Sequence, residues 1–364
     1  MWTFLRRFLQ WKLVSLTRYK LSLEHPLEYL FLEVTRRCNL SCRYCGSLCT
    51  SKAQGEEMES EKWLEVLEHI AQNYRPDKIM VAVTGGEALL KEGIFDIFRK
   101  LHELGFPYGM VSNGMLLDEK AAREIVQSGM GSISLSLDGP EEVNDELRGK
   151  GSFAGVKRAV DNLREAGFGG ILEIMSTVTK PVVPHLETMR QVVLEMGVKQ
   201  WRVVPVMPIG RAALDKELII DEGDLKKILL FAEKGRADGV MPLVEFGEEG
   251  YLGDRFEGVV RPALHMCRAG LNVAGIMANG KIGACPELPE SFLQGDLACD
   301  DFVDVWENRY EVFRDRSWAR KDQCLNCDSW SRCHGGSLHL YDKPGGDFCR
   351  CSYLMLNKEV EGSE

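Results

Sequence analysis

Residues 33–49 read EVTRRCNLSCRYCGSLC and hold four of the chain's 12 cysteines, among arginines and directly after a strand-like run. Cys38, Cys42 and Cys45 are spaced C-x3-C-x2-C. Thiolates are the ligands of soft metals and iron–sulfur clusters. Four of them make a closed site, whereas three leave a position open for chemistry. Three thiolates on this loop would leave one corner of a 4Fe–4S cube without a protein ligand. Cys49 stands outside the spacing; a spare buried thiol, a ligand from a mobile loop and a local feature of a subfamily all remain open for it. Residues 262–352 carry eight more cysteines.

The rest of the composition says where such thiols can work. At 364 residues, 45% apolar and 27% charged, the chain can bury one large domain and a smaller one. A net charge of −10 argues against a nucleic-acid binder, which needs a basic surface. Residues 1–20 carry Arg6, Arg7, Lys12, Arg18 and Lys20 with no uninterrupted apolar core, so no secretory signal is expected there. No window reaches the roughly 18 apolar residues of a membrane span. The expected compartment is the cytoplasm, where clustered thiols hold metal rather than form disulfides.

Residues 1–27 read as an amphipathic N-terminal helix, with Trp2, Phe4, Leu5, Phe8, Leu9 and Leu13 set against basic residues. Such a helix docks on the body, swaps to a partner, or lies on a membrane surface of anionic lipid. From residue 28 strands alternate with helices: LEYLFLEV, KIMVAVT, PYGMVSNG, SISLSLDG, ILEIMSTVT and WRVVPVMP, with Ser60 expected to cap the first intervening helix. Six such units predict an α/β fold, a partial (β/α)6 barrel over 28–210 with its site at the carboxyl ends of the strands. Residues 211–261 read as a linking helical segment, 262–352 as a small Cys-rich domain with a hairpin at Asn279-Gly280, and 353–364 as a tail.

The C-x3-C-x-aromatic-C run after the first strand resembles the radical S-adenosylmethionine (SAM) superfamily. The resemblance implies a 4Fe–4S cluster on Cys38, Cys42 and Cys45 whose open iron is chelated by SAM, reductive cleavage of SAM, and hydrogen abstraction by a 5′-deoxyadenosyl radical. Tyr44 matches the aromatic position that packs the adenine. Gly85, Gly86 and Glu87 match the family's GGE, whose glycines let backbone approach the ligand and whose carboxylate accepts hydrogen bonds from the SAM ammonium. Asn113, Ser136 and Asp138 fall where the family contacts ribose and carboxylate, and Arg148 falls where it would face the SAM carboxylate.

The later cysteines resemble the SPASM auxiliary-cluster domain. On that likeness Cys324, Cys327, Cys333 and one of Cys349 or Cys351 ligate an outer auxiliary 4Fe–4S cluster, while Cys267 and Cys285 begin an inner one. The residue expected to complete the inner site is Ser337 here, and another inner position is Val273. That site therefore has an open iron, recruits Cys299 or an oxygen ligand, or is empty. A structural zinc is the competing reading of the C-x2-C-x5-C part. One auxiliary cluster is expected and a second is in doubt.

The resemblance implies a radical SAM/SPASM maturase that modifies a peptide or protein and takes electrons from an external flavodoxin- or ferredoxin-like donor. Pro286 after Cys285 departs from sulfatase-maturating members, which carry an aspartate base there. The alternatives are a radical SAM enzyme acting on a small molecule such as a porphyrin, sugar or amine, and a non-catalytic iron–sulfur electron carrier. CGSxC, FGEEGYLG and CHGGSLH most resemble a poorly characterised SPASM group associated with small lipoprotein-like substrates.

Overall fold

The computed structural model describes residues 2–52, 55–247 and 250–357, with side chains from residue 9 onward. The expected side-chain roles of Trp2, Phe4, Leu5 and Phe8, residues 248 and 249 of the FGEEGYLG run, and tail residues 358–364 lie outside that range.

The chain opens with α1 (Trp2–Glu24) and then alternates: β1 (Tyr29–Glu33), α2 (Ser60–Asn73), β2 (Met80–Thr84), α3 (Ile94–Glu103), β3 (Tyr108–Ser112), α4 (Glu119–Gln127) and β4 (Ser132–Ser136). Two helices, α5 (Glu141–Arg148) and α6 (Ser152–Glu165), precede β5 (Ile171–Val178), followed by α7 (Leu186–Glu195) and β6 (Gln200–Pro205). Next come α8 (Glu222–Ala237), β7 (Leu243–Phe246), β8 (Val273–Ile276), β9 (Lys281–Gly283) and β10 (Gly295–Asp296). The C-terminal part adds α9 (Phe302–Asn308), α10 (Glu311–Arg314), α11 (Trp330–Cys333) and α12 (Ser352–Asn357).

One ten-stranded sheet runs in the order β10-β9-β8-β1-β2-β3-β4-β5-β6-β7. Strands β1 to β7 are parallel neighbours, as the alternating pattern predicts. β2 and β3 are almost continuously apolar because helices cover the sheet. On α2, Trp63, Val66, Leu67 and Ile70 recur at helical spacing and pack inward. Fully buried side chains such as Leu32 and Val83 each stabilise the core by roughly 1.5–3 kcal/mol.

Four local expectations change. Ser60 does not cap α2; the cap position is Glu59, and the Ser60 hydroxyl donates to the carbonyl of Glu92. The linking segment is not only helical, because β7 within it pairs in parallel with β6; this four-residue strand follows Pro242 too closely to show a periodic signal. The hairpin β8–β9 forms about Asn279-Gly280, but β8 also pairs in parallel with β1, so the Cys-rich part extends the barrel's own sheet. The start of the tail is ordered as α12, which packs on α8.

Because β1 to β6 are parallel, the segments after their carboxyl ends share one edge of the sheet. The cysteine loop, Gly85–Glu87, Asn113, Asp138 and residues 206–211 follow five of those ends.

Candidate metal centre

The loop after β1 has no regular structure of its own, so its shape comes from bonds to the rest of the edge. Val34 N donates to Thr84 O at 3.0 Å and Cys38 N to Thr50 O at 2.8 Å. Gly86 N donates to Thr35 O at 2.8 Å and Glu87 N to Arg37 O at 2.9 Å. The glycines of GGE serve this contact: a Cβ on Gly86 would meet Arg37 O at 2.4 Å, and one on Gly85, whose φ is +156°, would meet Thr35 O at 2.4 Å. Their close approach is therefore to the cysteine loop.

Arg211 is the central brace, and nothing in the sequence pattern marked it beyond a Gly-Arg pair just past a strand's carboxyl end. Its Nε donates to Cys42 O at 2.7 Å, its Nη1 to Cys49 O at 3.0 Å, and its backbone N to Cys45 O at 3.0 Å. Gly210 allows the approach, since a Cβ there would lie 2.3 Å from Gly46 O. Arg36 Nη2 holds Ser47 O at 2.9 Å, and Glu57 accepts from Thr35 Oγ1 and Arg36 N, each at 2.8 Å.

These braces bring Cys38, Cys42 and Cys45 together. Cys38 and Cys42 are 8% and 9% exposed. Burial pushes both thiols up, and the neighbouring thiols push further in the same direction. Cys45 goes the other way, down to about 5, because the neighbouring Cys49 and the Arg211 charge both favour its thiolate. Cys49 is therefore a neighbour of the trio; Cys45 first, then burial, push its thiol up, and its Sγ lies 3.8 Å from Ser47 O. Among the described residues no three Cys, His, Asp or Glu side chains close round a single metal-ion position.

Glu87 is 1% exposed beside this loop. Its Oε2 accepts from Asn113 N at 2.7 Å, and its Oε1 from Ser112 Oγ at 2.9 Å and Leu89 N at 3.4 Å. Burial pushes the carboxyl up against these bonds, all of which come from neutral donors. A buried carboxylate without a cationic hydrogen-bond partner fits an incoming ammonium. The Asn113 amide donates to Asn39 Oδ1 at 2.7 Å and approaches Cys38 Sγ at 3.8 Å, which places it between the two groups.

Asp138 occupies a different position from the one its strand end suggests. It is fully buried, receives Arg148 Nη1 at 2.7 Å and Thr177 N at 2.7 Å, and pairs with the Tyr44 hydroxyl. Arg148 Nη1 also donates to Tyr44 Oη at 2.6 Å. Tyr44, Asp138 and Arg148 thus form a closed buried brace that pins the middle of the loop to α5, with Arg43 N on Leu147 O at 2.9 Å beside it. Ser136 lies buried at the end of β4.

In the Cys-rich part, Cys324, Cys327, Cys333 and Cys351 line one cavity with Trp330 and Phe348. Burial, then the neighbouring thiols, push Cys324 up to about 11 and Cys333 up to about 12. Four thiols lining one cavity fit a cationic iron core, which would offset the accumulated thiolate charge. Cys349 is exposed and does not line that cavity, so the geometry separates the two members of the pair. Cys267 does not line that cavity; it lies against the Leu338 backbone N–H and shares a second, smaller cavity with Cys333. Burial alone would push it up, but the Arg316 guanidinium next to it brings it below the ordinary thiol value. Arg316 Nη2 also holds Cys267 O at 3.1 Å. Cys299 is exposed, and Val273 begins β8.

Residues 32–193 match the Radical SAM superfamily and residues 267–328 match the SPASM iron-sulfur cluster-binding domain. The chain carries a radical SAM domain followed by a C-terminal SPASM domain. It is similar to Mycofactocin maturase MftC of Mycolicibacterium smegmatis, 28% identical over 334 residues that cover 88% of this chain and 80% of the relative. An AdoMet-dependent heme synthase of Methanosarcina barkeri is 24% identical over 86% of this chain and 92% of its own. Streptococcus suis SuiB, solved bound to the precursor peptide SuiA, shares the fold with a TM-score of 0.69 at 19% identity, over 89% of this chain and 75% of that one. The family implies a 4Fe–4S cluster, SAM and auxiliary iron–sulfur chemistry, and the donor sets described above fit the first cluster, SAM and one auxiliary cluster.

Proposed function

We propose that this enzyme is a maturase that modifies a peptide or protein. Cys38, Cys42 and Cys45 would hold the SAM-binding cluster and Glu87 the SAM ammonium. Cys324, Cys327, Cys333 and Cys351 would hold one auxiliary cluster. When bound, the cluster and SAM supply the electron and the 5′-deoxyadenosyl radical that removes hydrogen from substrate. The chain's own part is to fix the loop through Arg211 and the Tyr44–Asp138–Arg148 brace, and to present one buried carboxylate without a cationic hydrogen-bond partner to the ligand. The observation that carries the reading is the likeness to MftC, which spans both the barrel and the Cys-rich part. SuiB, with the same fold, is solved with a precursor peptide. An external electron donor and a cytoplasmic setting belong to this reading; among the described residues no helix is long and apolar enough to cross a membrane.

Anaerobically reconstituted protein should cleave SAM to 5′-deoxyadenosine and methionine under dithionite, and alanine at Cys38, Cys42 and Cys45 together should abolish it. Undiminished cleavage in that variant refutes the cluster assignment. The heme synthase relative favours a small-molecule substrate as the second reading. Mass spectrometry of candidate peptides co-expressed with the enzyme decides between them: loss of two hydrogens or a larger mass change supports the maturase, while turnover of a porphyrin alone refutes it.

A further inference from the structure

Helix α1 has two faces with opposite fates. Trp11 and Leu21 are buried at 6% and 9% exposure, and so is Arg18. Trp11 Nε1 donates to Asp254 Oδ1 at 3.3 Å, its ring meets Tyr251 edge-on at 5.5 Å, and the Arg332 guanidinium lies over it. Arg18 reaches the buried surroundings of Cys267 and Arg316. Just beyond the helix, Trp306 Nε1 holds His25 O at 3.1 Å. These contacts fix the rotation of α1 about its own axis.

On the opposite face Leu9, Leu13, Leu16 and Leu23 recur at helical spacing, each more than half exposed, with Tyr19 at their edge. These five are among nine large apolar side chains more than half exposed in the described residues, so the concentration belongs to this helix. The helix cannot turn to bury them without extracting Trp11 and Arg18. The fold therefore presents a permanent apolar row.

Charge indicates what covers it. α1 holds five basic residues and one acidic, a net +4 in a chain of −10, which leaves −14 for the remainder. Lys12 and Lys20 are exposed alongside the row, and their long stems can lie on an apolar surface while the ammonium groups reach outward. A second copy of the chain would set one +4 helix against another. An anionic lipid leaflet instead offers hydrocarbon for the leucines, an interfacial layer for Tyr19 and phosphates for the lysines. We propose that α1 is an interfacial anchor that lays the Leu9–Leu13–Leu16–Leu23 row into an anionic lipid surface. The acidic body, repelled by the same lipids, then faces away from the membrane.

The test is co-sedimentation of the full-length, reconstituted protein with vesicles of phosphatidylcholine alone or with about one-third phosphatidylglycerol. The wild type should bind the anionic vesicles and not the neutral ones, and should be released as salt rises from about 0.1 M to about 1 M. Leu13→Glu/Leu16→Glu should lower the bound fraction at least about tenfold while iron content and melting temperature stay unchanged, which excludes misfolding. Three outcomes overturn the proposal: absence of vesicle binding, binding that the double variant does not weaken, or a wild-type dimer in sedimentation equilibrium that the variant dissociates, since that dimer would cover the row with a second copy.

Discussion

Arg211 is the residue whose loss should most change the cysteine loop without touching a thiol. Its side chain makes two hydrogen bonds to loop carbonyls, Cys42 O at 2.7 Å and Cys49 O at 3.0 Å. Bonds from a charged donor contribute roughly 1.5–3 kcal/mol each, and because Arg211 is only half-buried, water recovers part of that after truncation. Arg211→Met should therefore make local opening of residues 42–49 easier by about 2–4 kcal/mol, or roughly 30- to 1000-fold. The backbone bond from Arg211 N to Cys45 O survives the substitution, so the loop should loosen without detaching. The assay is hydrogen–deuterium exchange with mass spectrometry on cluster-free protein kept reduced. The peptide covering 42–49 should lose protection, while one covering β3 keeps it. Arg211→Lys should fall between, because a single ammonium cannot span two carbonyls as the planar fork does. Unchanged exchange at 42–49 in Arg211→Met would refute the bracing argument, and an equal loss in β3 would show a global effect in its place.

Glu87→Gln should weaken SAM binding by roughly 1.5–3 kcal/mol, about 10- to 150-fold, with iron content intact, because it removes a charge-assisted partner; equilibrium dialysis under anaerobic conditions measures it, and unchanged affinity counts against the ammonium role. Cys351→Ser should lower the iron content from about eight per chain towards about four, whereas Cys349→Ser should leave it near the wild-type value; equal losses would contradict the cavity geometry. Burial pushes the Glu33 carboxyl from 4.5 up to about 7, ahead of the opposing charge of Arg36. Between those values the folded chain keeps a proton that the unfolded chain has released, so stability should fall as pH rises through this window, by up to about 3 kcal/mol. Denaturant melts of wild type and Glu33→Gln across the window check this, since the substitution should flatten the decline.

The parallel strands were legible because covered strands must be apolar, and runs such as MVAVT in β2 carry that signal within five residues. The cysteine trio was legible because a loop that holds a cluster concentrates its ligands locally. What escaped was long-range. The pairing of β8 with β1 joins Val273 to Tyr29, and neither segment carries a mark that distinguishes this partner from another edge. Asp138 looked available because it follows a strand end, but the cation that neutralises it, Arg148, sits on the next helix, and the tyrosine that completes the brace is 94 residues earlier.

That difference between Asp138 and Glu87 bears on how the site selects its ligand. Both carboxylates are almost fully buried on the same sheet edge. Asp138 is bonded to a guanidinium, a phenol and a backbone amide, so its charge is already compensated and a further cation gains little there. Glu87 is bonded only to two backbone amides and a hydroxyl, so desolvation of its charge is left partly unrepaid until a cation arrives. A positively charged ligand entering beside the thiols is thus directed to Glu87, which lies next to Asn113 and within its reach of Cys38. The asymmetry rests on where arginines were placed, and it predicts that removing the Arg148 charge, as in Arg148→Met, would make Asp138 a competing cation site and loosen the loop at Tyr44. A variant that binds SAM with unchanged affinity and an unaltered Tyr44 environment in fluorescence would show that the brace does not govern the choice.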